Sequence, residues 1–284
     1  MFSEDLYARI AADFPGDGPG EDASRPGGNE FIHPGFAARG AGLMLDNADE
    51  IVHVYTAVFP DQEIIEAIIR SGRRDALLVT LHAMGYNGLN DGNPFYELPA
   101  EYYKTLKDRH ISLYVLRPPM EIEGKYSATM AFVRMLGLKV VGEYRGSDGV
   151  TAGVICNAAK QSAANFAEYV QIVVGHEVKL RLYGDDRIDG SLVAIVAGAG
   201  CRPQVPEDLA RLQLNLYLTG YTCPSPIFPD VVEFHRQAQR LRLNVIGATR
   251  YSTEKFAPMA LRGYFKGLGL SAEFITGRYY LRDL

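Results

Sequence analysis

From Glu50 onward, short apolar runs alternate with stretches whose apolar residues recur every three or four positions. The runs predict strands, and the helical periodicity between them predicts crossover helices. In the first half, strands are predicted over Ile51–Val58, Ala76–His82, Ile111–Leu116 and Lys139–Tyr144, and helices over Asp61–Arg70, Glu101–Arg109 and Tyr126–Leu136. Asp61 stands at the start of the first helix, and Gly137 closes the last as a C-cap. The second half repeats the rhythm, with strands over Val150–Cys156, Glu177–Tyr183, Leu192–Val196, Leu214–Leu218, Leu243–Gly247 and Ala272–Thr276. Helices are predicted over Ser162–Val173, Pro206–Leu212 and Pro229–Leu241, and from Ser252/Thr253 to about Leu268.

Strands alternating with helices imply βαβ units and a largely parallel sheet. The reading is an α/β protein of two similar lobes, residues 1–120 and 121–284, each a mostly parallel sheet flanked by helices, with a site in the cleft between them. Ahead of this pattern, Glu4–Asp13 predicts a short amphipathic helix. Pro15–Asn29 (PGDGPGEDASRPGGN) is too rich in Gly and Pro for regular structure and reads as a surface loop, with a lid or subunit arm as the sharper alternative. His33-Pro34-Gly35 also reads as loop.

Ligands of open α/β sheets gather beyond the carboxyl ends of the strands. Four predicted strand ends carry polar groups: His82, the Arg117–Glu121 turn, Gly198–Gly200 and Arg250–Glu254. His82 with Glu121 and Glu254 forms an oxygen- and nitrogen-rich set suited to a cation. Each also has a bland reading: His82 as a hydrogen-bonded structural residue, Glu121 as a solvated carboxylate, and Glu254 as a helix-capping residue in Ser252-Thr253-Glu254. The Gly198–Gly200 segment lacks both the GxGxxG and the GK[ST] pattern, so it reads as a tight turn rather than a phosphate cradle. His53 reads as a packed strand residue, His176 as preceding a strand, and His110 and His235 as lying in solvated helix regions.

Composition narrows the classes. A formal net charge of −5 gives no basic field for nucleic acid. Charges within Met1–Asp13 argue against a signal peptide, and no apolar run approaches the roughly 18 residues of a membrane span. Three widely spaced cysteines, Cys156, Cys201 and Cys223, without a CxxC pair, exclude a zinc ribbon and fit reduced thiols in the cytoplasm.

Several segments, in order, resemble the NGG-interacting-factor-three-like family, also known as the type 2 form of GTP cyclohydrolase I. Gly42-Leu43 resembles its early turn and Val54–Val58 with Asp61 its next strand and helix. VTLHAMGY (Val79–Tyr86) resembles the paired-histidine strand end, and LYVLRPPME (Leu113–Glu121) the strand before its His-Thr-Asn-x-Asp turn. VAIVAGAG (Val193–Gly200), LYLTGY (Leu216–Tyr221) and VIGATRYSTE (Val245–Glu254) resemble its glycine-bearing, Ile-Thr-Gly and Gly-His-Tyr-x-x-Glu segments. The resemblance implies a pair of metal ions held by two adjacent His, an Asp, a further His and a Glu. Here those positions carry Leu81, His82, Glu121, Arg250 and Glu254. Arg donates no lone pair and stays charged, so a full dinuclear site is not expected.

Two functions follow from the resemblance. One is a metal-dependent hydrolase acting on a nucleotide or related small molecule. It retains at most one divalent ion (zinc, iron or manganese), with His82, Glu121 and Glu254 as ligands, Glu121 as ligand or base, and Tyr251 as a hydrogen-bond donor. The other is a non-catalytic binding protein without metal, in which the Arg250 guanidinium replaces the metal charge, pairs with Glu121 and Glu254, and with Arg117 attracts an anion or other small molecule. The family's ring-like assembly, with 17 tyrosines to supply contact surface, implies a homo-oligomer, a hexamer by resemblance.

Overall fold

The structure, a computed structural model, describes residues 1–14, 31–83, 99–116, 124–146, 149, 151–160 and 162–284. In chain order the elements are α1 (Ser3–Asp13), α2 (Pro34–Arg39), β1 (Gly42–Leu45), β2 (His53–Ala57), α3 (Gln62–Arg70), β3 (Ala76–Thr80), α4 (Ala100–Asp108), β4 (Ile111–Val115), α5 (Ala128–Met135), β5 (Lys139–Arg145), β6 (Thr151–Asn157), α6 (Ala163–Val174), β7 (Lys179–Arg181), β8 (Leu192–Ile195), α7 (Val205–Arg211), β9 (Leu216–Thr219), α8 (Pro229–Arg240), β10 (Asn244–Gly247), α9 (Arg250–Glu254), α10 (Phe256–Gly267) and β11 (Ser271–Phe274). They divide into two compact units: Met1–Met120 with Ala257–Gly277, and Glu121–Phe256 with Arg278–Leu284.

The first unit holds a five-stranded sheet in the order β1-β4-β3-β2-β11. Every residue of β2, β3 and β4 is buried, as expected where helices cover both faces of a parallel sheet. The Asp61 carboxylate accepts the Ile64 N–H at 3.0 Å and starts α3. That helix buries Ile64, Ile65 and Ile68, each contributing roughly 1.5–3 kcal/mol by leaving water.

Three expectations change here. Gly42-Leu43 belongs to β1, an edge strand antiparallel to β4, rather than to a turn. The segment His33-Pro34-Gly35 starts a helix rather than a loop, because Nδ1 of His33 accepts the Gly35 N–H at 3.1 Å and Pro34 supplies a helix-ready φ. The strand near residue 272, expected in the second lobe, pairs in parallel with β2 from Ser271↔His53 to Phe274↔Thr56. Its alternating burial suits an edge, and β2 is the strand beside it.

The second unit holds a six-stranded sheet, β5-β6-β8-β9-β10-β7. It is parallel only at its centre, between β8, β9 and β10, and antiparallel at β5–β6, β6–β8 and β7–β10. The few residues between Arg145 and Thr151 permit a hairpin but no crossover, which sets β5 against β6 in the antiparallel sense. On one face, Tyr217, Val245 and Ala194 pack with Leu209 of α7 and Phe234 of α8. Ser127 caps α5 and Ser162 caps α6, and α6 ends at Gly175 in the left-handed conformation. No helix among the described residues is long and apolar enough to cross a membrane.

Candidate functional site

In the second unit the carboxyl ends of β8, β9 and β10 lie side by side, and their turns interlock. The Gly198 carbonyl accepts the N–H groups of Gly220 at 3.0 Å and Tyr221 at 2.9 Å, and the Gly198 N–H donates to Thr253 Oγ1 at 2.9 Å. The Gly200 N–H donates to Thr219 Oγ1 at 3.1 Å. A side chain at Gly198 would collide with Oε1 of Glu254, and one at Gly220 would meet the Gly198 carbonyl and the Arg250 Cα. Glycine is needed at Gly220 because backbone of the Gly198 turn and of α9 rests on it, and at Gly198 because its φ is +81.

From β10 the chain enters α9 through Thr249, at φ 59 and ψ 147. A β-branched residue there is strained, by about 1–3 kcal/mol. The surroundings fix it. Its Oγ1 accepts the Ser252 N–H at 3.3 Å, and its carbonyl accepts the Thr253 hydroxyl at 3.1 Å. Arg250 and Glu254, one helical turn apart, form an ion pair with Nε 3.6 Å from Oε1, both side chains largely out of water. Tyr251 is buried beside them.

Two further residues touch α9. Asp283 accepts the Arg250 N–H on Oδ2 at 2.9 Å. Burial pushes its carboxyl above the ordinary range, with Glu254 acting the same way, while Arg250 and Arg282 oppose the shift. His176 is buried and donates from Nδ1 to the Glu177 carbonyl at 2.7 Å, which leaves Nε2 to accept from the Ser252 hydroxyl at 2.7 Å. Burial holds its pKa below the usual histidine value.

Of the sequence-predicted site residues, Arg250, Tyr251 and Glu254 lie together on α9, with Gly198–Gly200 beneath. The helix starts earlier than Ser252, and Thr249 rather than Glu254 supplies the cap. His82 belongs to the first unit, just beyond β3, buried and stacked on Phe59 with ring centroids 4.6 Å apart. Arg117, Glu121 and the loop 15–29 lie outside the described residues. His235 is buried rather than solvated, donating from Nε2 to the Thr222 carbonyl at 2.7 Å. Sequence reasoning missed Thr249, His176 and Asp283. Only Thr249 carried a signal, since it occupies the glycine position of the Gly-His-Tyr-x-x-Glu segment. Among the described residues, no three His, Cys, Asp or Glu side chains cluster in a way that could hold a metal ion.

Two helix-flanked sheets, one of them with a polar cluster at its central strand ends, define the class as a two-sheet α/β protein. The chain belongs to the Duf34/NIF3 (NGG1p interacting factor 3) family, which matches residues 37–276. A GTP cyclohydrolase 1 type 2 homolog from Borreliella burgdorferi is 26% identical over 163 residues, which are 57% of this chain and only 60% of that relative. A solved protein of unknown function, ybgI, superposes with a TM-score of 0.73 at 16% identity, covering 99% of this chain and 100% of its own. Reduced HcgD from Methanocaldococcus jannaschii superposes with a TM-score of 0.68 at 20% identity, covering 98% of each. At such identities these structures share the fold.

Proposed function

We propose that this chain is an anion-binding member of its family, in which Arg250 supplies the positive charge of the site. The observation that carries the reading is the sequestered Arg250–Glu254 pair at the parallel strand ends. A guanidinium has no lone pair for a metal, stays charged, and matches carboxylate and phosphate oxygens in a bidentate fork. Leu81 adds no donor either, so the residues present do not fit a two-metal site. The ligand class is a small phosphate- or carboxylate-bearing molecule, with nucleotides first to test because of the Borreliella relative's name. Tyr251 adds a hydrogen-bond donor, and the working form is a homo-oligomer, a hexamer by resemblance.

Calorimetric titration with inorganic phosphate and GTP, before and after chelation, tests this. Binding should persist without metal and weaken at least tenfold in Arg250→Gln, a loss in the range of one charged hydrogen bond. Binding or GTP turnover that appears only on adding zinc, iron or manganese refutes it. That outcome supports a second reading, a hydrolase that keeps one divalent ion. The survival of His82 and Glu254 at the positions of family ligands favours this second reading.

A further inference from the structure

We infer that Arg278–Leu284 is a latch for the strained Thr249 elbow, and that Asp283 is a positioning residue for Arg250 and Glu254. After β11 the chain leaves the first unit and rejoins the second at Arg278. There it is fastened at three points. The Asp283 carbonyl accepts the N–H groups of Thr222 at 2.7 Å and Cys223 at 3.0 Å, in the turn after β9. The Asp283 carboxylate accepts the Arg250 N–H, the first amide of α9. The Tyr279 ring stacks on His176 with centroids 4.1 Å apart, and His176 holds the Ser252 hydroxyl.

The second and third fastenings bear on the same five-residue helix, and the first ties the segment to the turn beside it. A helix that short has almost no intrinsic stability, and its first turn leaves amides without internal partners. Thr249 satisfies the Ser252 amide and Asp283 satisfies the Arg250 amide. The unfavourable φ of Thr249 favours relaxation of the elbow, so the orientation of Arg250 depends on contacts from outside α9. Asp283 makes one of these directly.

Asp283→Ala and Asp283→Asn in the full chain test the latch. Two readouts are amide hydrogen exchange over residues 248–255 and calorimetric titration with inorganic phosphate. The second rests on the anion-binding reading and the first does not. Asp283→Ala should speed exchange there roughly tenfold or more, leave β8 and β9 unchanged, and weaken phosphate binding. Asp283→Asn retains a carbonyl acceptor and should restore both. Wild-type exchange in Asp283→Ala overturns the latch, as does an Asp283→Asn protein that exchanges as fast as the alanine variant. If the wild-type protein binds no phosphate, the anion reading falls and the exchange result alone decides the latch.

Discussion

Replacing Gly220 with alanine puts a methyl group where other atoms already stand. Its Cβ would lie 2.6 Å from the Gly198 carbonyl oxygen, 2.7 Å from Thr253 Oγ1 and 2.9 Å from the Arg250 Cα. Two of these are backbone atoms, which no rotamer change can move aside. Overpacking of this kind costs about 1–3 kcal/mol. Relief requires the turns to part, which sacrifices the bonds from Gly220 and Tyr221 to the Gly198 carbonyl at about 0.5–1.5 kcal/mol each. The stiffer unfolded chain returns about 0.4–1 kcal/mol. The net loss is roughly 1–5 kcal/mol, or about 2–8 °C in Tm for a chain of 284 residues. Urea unfolding followed by circular dichroism measures it, with Gly263→Ala as the control. Gly263 is exposed within α10 and a Cβ there meets nothing within 4 Å, so alanine should stabilise the protein by roughly 0.5–1 kcal/mol. A Gly220→Ala protein with the wild-type midpoint refutes the claim that these turns are closed on one another.

Other outcomes follow from groups already described. Burial lowers the pKa of His235, so the unfolded chain, at about 6.5, takes up its proton before the folded chain does. Its contribution to stability is therefore complete above about pH 6.5 and lost as pH falls toward the folded value. His235→Gln should flatten the decline in urea midpoint between about pH 7 and 5, and an unchanged slope counts against the buried neutral ring. Cys156 and Cys201 are buried with thiol pKa values pushed up by desolvation, whereas Cys223 is half-buried. A disulfide reagent should titrate one thiol in the native protein and three after unfolding, and rapid modification of Cys201 contradicts this. Asp61→Ala removes the cap of α3 and should cost about 1 kcal/mol in urea unfolding, with no change in phosphate affinity.

The sequence made some of this visible because local chemistry decided it. The strands β2, β3 and β4 are buried on both faces and read as largely apolar runs, broken only by His53, Thr56, Thr80 and Ser112, and Asp61 announced α3. What stayed hidden was decided by neighbours distant in the chain. Gly42-Leu43 resembles a turn until β4 is beside it. The segment Ser271–Phe274 carries nothing that says which sheet it joins. His235 sits on a helix whose pattern is polar, and only the Thr222 carbonyl explains its burial. At the site, Arg250, Tyr251 and Glu254 were legible as a motif. Asp283, in the segment Tyr279–Leu284, had no pattern to mark it, because its role depends on the chain returning to β9 and α9.

That return also bears on how the protein is made. The first unit needs β11 to cover the edge of β2, and the second needs Arg278–Leu284 against α9. Neither is complete until the stretch Ala257–Leu284 has left the ribosome. During synthesis β2 keeps a bare edge of unpaired amides and carbonyls, the kind of surface that recruits other chains. The nascent polypeptide thus passes through an interval in which all six strands of the second sheet exist while β2 of the first still has a bare edge, and chaperone occupancy should be greatest there.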